Sequence, residues 1–211
     1  MRKQVIGSLA GMLLAAVIAH AQTDVMAMMD KNESSEFVRM YPGKKKKTET
    51  EDMKVSSVEA QRKVWVDRYL SVCYPLPKLK VTSPYGYRRD PFTGKKRFHN
   101  GLDLRARGDK VLAMMEGVVV KVGQNRSSGK YVTLQHGSYT ISYCHLSRIL
   151  TRKNAKVYPR DVVGITGSTG RSTGEHLHIT CRLNGKSVNP ALVLDSIRTV
   201  REECVEALTQ L

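Results

Sequence analysis

Four of the six histidines stand where they can act together. In "GEHLHIT", His176 and His178 are two residues apart. On a strand that spacing turns both rings to one face while Leu177 and Ile179 point to the other. "FHNGLDL" places His99 and Asp103 four apart around Gly101, and "YCHLS" supplies His145. Imidazole and carboxylate are ligands of a hydrolytic zinc, which takes three protein groups and keeps a fourth position open for water. Each pair is a weak signal alone, because a surface histidine near an aspartate is common and usually inert. Four imidazoles and a carboxylate from three separated segments point instead to metal-assisted hydrolysis. The sequence has no HExxH helix, so the glutamate base that such a helix supplies is missing and a histidine must serve as base. His136, in "QHG" between two apolar runs, reads as a turn residue.

These residues need a rigid frame, and the sequence around them reads as β. "GVVVKV" (117–122), "YVTLQ" (131–135), "YTISYC" (139–144), "VVGIT" (162–166) and "HLHITC" (176–181) are strands by length and composition. Turn residues separate them, and Asn184-Gly185 predicts a tight hairpin. The expectation is a mainly β domain of antiparallel strands over 76–190. An amphipathic helix is predicted over 55–75: Ser56 and Glu59 fit a capping box, and Val58, Trp65, Val66, Tyr69 and Leu70 share one side. Ile197, Val200, Cys204, Val205 and Leu208 predict a short C-terminal helix over 191–211. Residues 22–54, polar and carrying the block Lys44 to Lys47, read as a flexible charged linker.

The first 21 residues have the pattern of a secretory leader. Arg2 and Lys3 precede a short apolar run, and Ala19-His20-Ala21 offers a cleavage site, so His20 departs with the leader. Export to the periplasm or cell envelope, or beyond it, is therefore expected, with no membrane anchor after cleavage and a monomeric mature chain. The formal net charge of +16 invites a nucleic-acid reading. Against it, the basic residues are spread along the chain, three Phe and one Trp offer few stacking platforms, and the leader directs export. No nucleic-acid partner is expected, and an anionic envelope polymer suits the charge better. Four cysteines in an exported chain permit three disulfide pairings, or four buried thiols. Strand alternation puts Cys144 and Cys181 on the face away from the imidazoles, and Cys73 and Cys204 lie in the flanking segments.

"SPYGYRRDPFTGKKRFHNGLDL", "GVVVKVG", "GKYVTLQHG", "YTISYCHLS", "DVVGITGSTGRSTGEHLHITC" and "NGKSVNP" resemble, in order and spacing, the lysostaphin-type (LytM-like) zinc endopeptidases that cut bacterial peptidoglycan. The resemblance covers about Val81 to Pro190. It implies a lysostaphin-like β fold, zinc as cofactor, and hydrolysis of amide bonds in peptidoglycan cross-link peptides through a zinc-activated water. It also implies His99, Asp103 and His178 as zinc ligands, with His145 and His176 acting on the water and the transition state. Which of those two is the base stays open. "DPFTGKKRFHNGLDL" looks more like the cross-link-cutting enzymes of the Gram-negative envelope than like pentaglycine-cutting toxins, which implies D-alanyl cross-bridges as substrate. Glu175, where many relatives carry proline, adds negative charge beside the site, and Cys144 replaces the usual small residue. Arg88, Arg89, Lys95, Lys96 and Arg97 are candidate contacts to substrate carboxylates. The other reading is a non-enzymatic envelope module that binds wall peptide or activates a partner hydrolase. It predicts missing ligands, and all five positions are filled.

Overall fold

Short β-branched runs broken by turn residues build a sheet in which every ladder is antiparallel. The computed structural model describes residues 46–211, with side chains from Val55 onward. The leader over 1–21 and most of the linker over 22–54 lie outside these residues. Strand order in the main sheet is β1 (Val81–Ser83), β4 (Leu102–Arg105), β12 (His176–Leu183), β8 (Tyr139–Leu146), β7 (Gly129–His136), β6 (Gly117–Asn125) and β10 (Lys156–Val157). β13 (Lys186–Val188) pairs with the end of β12, leaving Asn184 and Gly185 as a two-residue loop with φ of 48° and 78°. Both positive φ values are those of the hairpin turn that Asn-Gly favours. β5 (Lys110–Leu112), β11 (Val162–Ile165) and β9 (Arg148–Ile149) form a second sheet, and β2 (Gly86–Arg89) pairs with β3 (Lys96–His99) as a separate hairpin.

The main sheet is two-faced, as period-two alternation requires. Leu102, Leu104, Leu177, Ile179, Tyr143, Val132, Leu134 and Ile141 are fully buried on one face. Cys181 pairs with Ile141 and shares that face, as expected. Across β4, β12 and β8, Asp103, His178 and Cys144 form one row of the opposite face. The next row brings Thr180, Ser142 and Thr133 together, with Thr133 and Ser142 hydroxyls 2.9 Å apart. The expected position of Cys144 is therefore corrected: it lies beside His178 and not behind it. Simple alternation fails because His145 has φ 61°, a left-handed backbone that lets consecutive residues 144 and 145 both reach the histidine side.

The first helix, α1 (Lys46–Leu70), differs from the expected 55–75 at both ends. Residues 46–54 contain no Gly or Pro and are rich in Lys and Glu, which extend a helix without needing an apolar face. At the other end Pro75 disfavours helix at Tyr74, and Val72 instead bridges to Met115. The compact unit containing the sheet runs from Val64 to Gln210. Within it Trp65 and Tyr69 are half-buried while Val66 and Leu70 are exposed, so the buried stripe is narrower than expected. Val72, Cys73 and Leu76 belong to the core, so the folded unit begins well before 76.

α2 (Ala191–Thr209) starts after Pro190 and buries Val193, Leu194, Ile197, Val200 and Cys204. It is longer than a short helix, and Val205 is exposed. The Arg68 guanidinium meets Glu203 at 2.7 Å, and Arg201 donates to the Tyr69 hydroxyl, tying the end of α1 to α2. All four cysteines are buried free thiols. No helix among the described residues is long and apolar enough to cross a membrane.

Candidate metal centre and active site

The local sequence puts three ligand-type atoms at one point. His99 ends β3, Asn100 and Gly101 make the connection, and Asp103 lies on β4, directly across from His178 on β12. His178 Nδ1 is 2.7 Å from Asp103 Oδ1 and 3.1 Å from His99 Nε2, and His99 Nε2 is 3.2 Å from Asp103 Oδ1. Ligand bonds of about 2.0–2.1 Å to a tetrahedral zinc give edges of about 3.3 Å, close to this triangle.

Hydrogen bonding sharpens the fit. His99 Nδ1 is 2.7 Å from the Pro84 carbonyl, which only accepts, so in the neutral ring Nε2 bears a lone pair. That lone pair faces a carboxylate oxygen, an arrangement that a cation resolves. Burial alone would push the Asp103 carboxyl up; with protons on these ring nitrogens instead, hydrogen bonds from His178 and then His99 hold it well below the usual carboxylate range. The donor set of two imidazoles and one carboxylate fits zinc. His99 and Asp103 are buried and His178 is half-buried, so the cluster keeps one open side.

The other two imidazoles border that opening. The His145 ring lies 4.8 Å from that of His176 and 5.5 Å from that of His178, centroid to centroid. His145 Nδ1 donates to the Thr169 carbonyl at 2.7 Å, and His176 Nδ1 donates to the Gly174 carbonyl at 2.8 Å. Each neutral ring therefore presents Nε2 as a base, and His176 Nε2 lies 3.7 Å from Asp103 Oδ1. Burial holds His145 down to about 4, with the neighbouring His176 and His178 adding to the effect against the Thr169 bond. It is neutral at physiological pH.

Gly101 makes the close approach possible. A Cβ there would stand 2.6 Å from His178 Nε2 and 2.7 Å from the Ile179 carbonyl oxygen. Gly101→Ala must displace the ring, so affinity for a metal at this cluster is expected to fall about 10- to 100-fold, as when a ligand loses its orientation. Competition with a chromophoric chelator measures this, and unchanged affinity would show that His178 does not need the space.

His136 is not brought to the cluster. It is buried, with Nδ1 donating to the Glu116 carbonyl at 2.9 Å. Glu175, next to His176, turns its carboxylate to the Gly108 N–H and to the Thr166 hydroxyl at 3.0 Å. Cys144 stands next to the cluster, but burial pushes its thiol up to about 12 against a Ser128 hydrogen bond, so it is inert as a nucleophile near neutral pH.

A groove of about 210 Å³ holds the cluster, and its walls include residues that the sequence reading did not single out: Asp90, Ser128 and Arg171. Asp90 is buried, accepting Phe92 and Thr93 N–H groups at 2.9 and 3.1 Å, Arg171 at 2.8 and 2.9 Å and Arg97 at 3.3 Å. Its only sequence signal was a lone acid between basic residues in "YRRDPFTGKKR". Arg88, expected as a substrate contact, has Nη2 3.7 Å from the Oδ2 atom of Asp103 and so turns toward the cluster.

Residues 97–190 match the profile described as Peptidase family M23. The peptidoglycan DD-endopeptidase ShyA of Vibrio cholerae is 39% identical over 120 residues, covering 55% of this chain and 28% of that protein. The chain therefore spans less than a third of that relative's length. A crystal structure titled as a zinc containing peptidase from Vibrio cholerae shares 33% identity with a TM-score of 0.51, covering 55% of this chain and 37% of that one. A mutant catalytic domain of the prophage-encoded M23 protein EnpA from Enterococcus faecalis shares 31% identity with a TM-score of 0.50, covering 58% of this chain and 95% of that one.

Proposed function

The chain belongs to peptidase family M23, a metallopeptidase family, and from that premise we propose that it is an exported zinc endopeptidase hydrolysing amide bonds in peptidoglycan cross-link peptides. The observation that carries this reading is the triangle of His99 Nε2, Asp103 Oδ1 and His178 Nδ1, with two further imidazole bases at its open side. Those three atoms would hold the metal. Zinc, when bound there, supplies a Lewis acid that polarises the scissile carbonyl and acidifies water.

The chain's own residues then do the proton work. His145 and His176, with Nδ1 fixed by backbone carbonyls, each aim Nε2 at the opening. One of them would take the proton of the attacking water at Nε2 and return it to the leaving amine, while the other, protonated at Nε2, would donate to the developing charge on the carbonyl oxygen. His145 is the better placed to stay neutral, because it is buried. Peptidoglycan as substrate is supported by the name of the Vibrio relative, and D-alanyl cross-bridges by the "DPFTGKKRFHNGLDL" resemblance. Export rests on the leader pattern of residues 1–21, and the site of action is the periplasm or cell envelope.

Metal analysis and digestion of purified peptidoglycan test the reading together. The full chain is expected to carry about one zinc and to release new peptide ends, identified by mass spectrometry. Chelation should remove both, and added zinc should restore them. A folded chain without zinc, or a zinc-loaded chain that cuts no wall, would refute the enzyme.

A further inference from the structure

Two strands of the groove wall place like charges directly opposite each other. Arg88 on β2 is the register partner of Arg97 on β3. Such a pair repels, and it persists because each guanidinium has its own carboxylate: Arg88 turns to Asp103 and Arg97 to Asp90. Asp90 also takes Arg171, which comes from the loop preceding His176 and lies over the Phe92 ring at 4.4 Å. One buried acid thus holds two guanidinium groups side by side in the lining of the groove that contains the histidine cluster.

The donors in this cluster outnumber the acceptors. Asp90 accepts from two backbone N–H groups, from Arg97 and from Arg171 through both of its oxygens, which fills a carboxylate. Each arginine offers five N–H donors. Arg97 spends one on Asp90 and has a side chain 62% exposed, and Arg171 reaches Asp90 through Nη2 alone. The remaining donors have no acceptor among the described residues. A tie between two loops needs one arginine. Two guanidinium groups pre-oriented by a saturated acid are an arrangement suited to a second, external carboxylate, since a planar fork matches its geometry.

We propose that Arg97 and Arg171, positioned by Asp90, form a carboxylate-binding subsite, so that the favoured substrate is a cross-link peptide with a free carboxylate beside the amide to be cut. This rests on the hydrolase reading above and names the substrate class within it. Preference comes from binding, so it appears in KM more than in kcat.

The test uses the zinc-loaded full chain and two cross-linked peptides that differ only in having that carboxylate free or amidated. Wild type is expected to favour the free acid about tenfold in kcat/KM, the scale of two partly exposed charge pairs. Arg97→Gln should bring the ratio to about twofold, and Arg97→Lys should keep part of it, since the ammonium retains charge and loses the fork. Equal cleavage of both peptides by wild type would overturn the subsite while leaving the hydrolase intact. A ratio unchanged in Arg97→Gln, with both rates lowered alike, would also overturn it and make the cluster a loop tie. If wild type cuts neither peptide, the hydrolase reading fails and takes the subsite with it.

Discussion

His178→Ala is expected to abolish zinc retention and hydrolysis together. His178 Nδ1 is one corner of the ligand triangle, and without it two of the three ligand atoms remain, while the thiol of Cys144 beside it is held protonated by burial. Disturbing groups that only orient a ligand costs about 10- to 100-fold in affinity. Removing a ligand should cost more, so metal content after dialysis is expected to fall from about one per chain to near zero. The fold should survive, since Leu177 and Ile179 hold β12 in the core and their contacts are unchanged. Circular dichroism and a metal assay on the same sample check both points. A variant that keeps its zinc would remove His178 from the ligand set and with it the proposed centre.

The second large effect is expected from His145, with the opposite metal outcome. His145→Ala should lower kcat by about 10²–10⁴, the usual contribution of a positioned acid or base, while zinc stays bound. Backbone strain complicates this variant, because residue 145 has φ 61°. His145→Asn is the better comparison, since asparagine tolerates the left-handed region. The two variants should agree in kcat if the loss is chemical. The sign of the pH effect follows from burial, which holds His145 at about 4: between pH 7 and 5 the ring stays unprotonated, so the defect should keep a constant size. A defect that shrinks as pH falls would place protonation of the ring between about pH 5 and 7 and contradict the effect of burial, while leaving His145 as the base. Loss of zinc in both variants would make His145 a ligand instead.

The sequence alone determined which donor atoms the cluster offers and the class of the fold. Histidines two apart in an alternating strand must share a face, and in an extended chain His99 and Asp103 converge only if it bends between them. Those are local constraints, set by pleat and backbone sterics, so they are legible without a structure. The Asn184-Gly185 hairpin is local in the same sense, and the structure has it. The short strands β1, β5, β9 and β10 were not legible, because two or three residues carry no periodic signal and pair only where a partner edge is offered. The ends of α1 were misplaced for a related reason. Charged residues extend a helix without an apolar pattern, and the chain after Leu70 is drawn into the sheet by contacts distant in sequence.

Tertiary structure decided the rest of the site. Strand parity assigned Cys144 to the far face, and the left-handed turn at His145 reversed that, a choice linked to the His145 N–H bonding the Ser128 carbonyl at 2.8 Å. Asp90 and Arg171 lie far apart in sequence and carry no shared motif, so their pairing follows only from how the β2–β3 hairpin and the loop before His176 come together. Residue type and spacing fix which atoms can bind a metal, because that is chemistry within a few residues of backbone. Which charges surround those atoms depends on long-range packing, and only the folded chain specifies it.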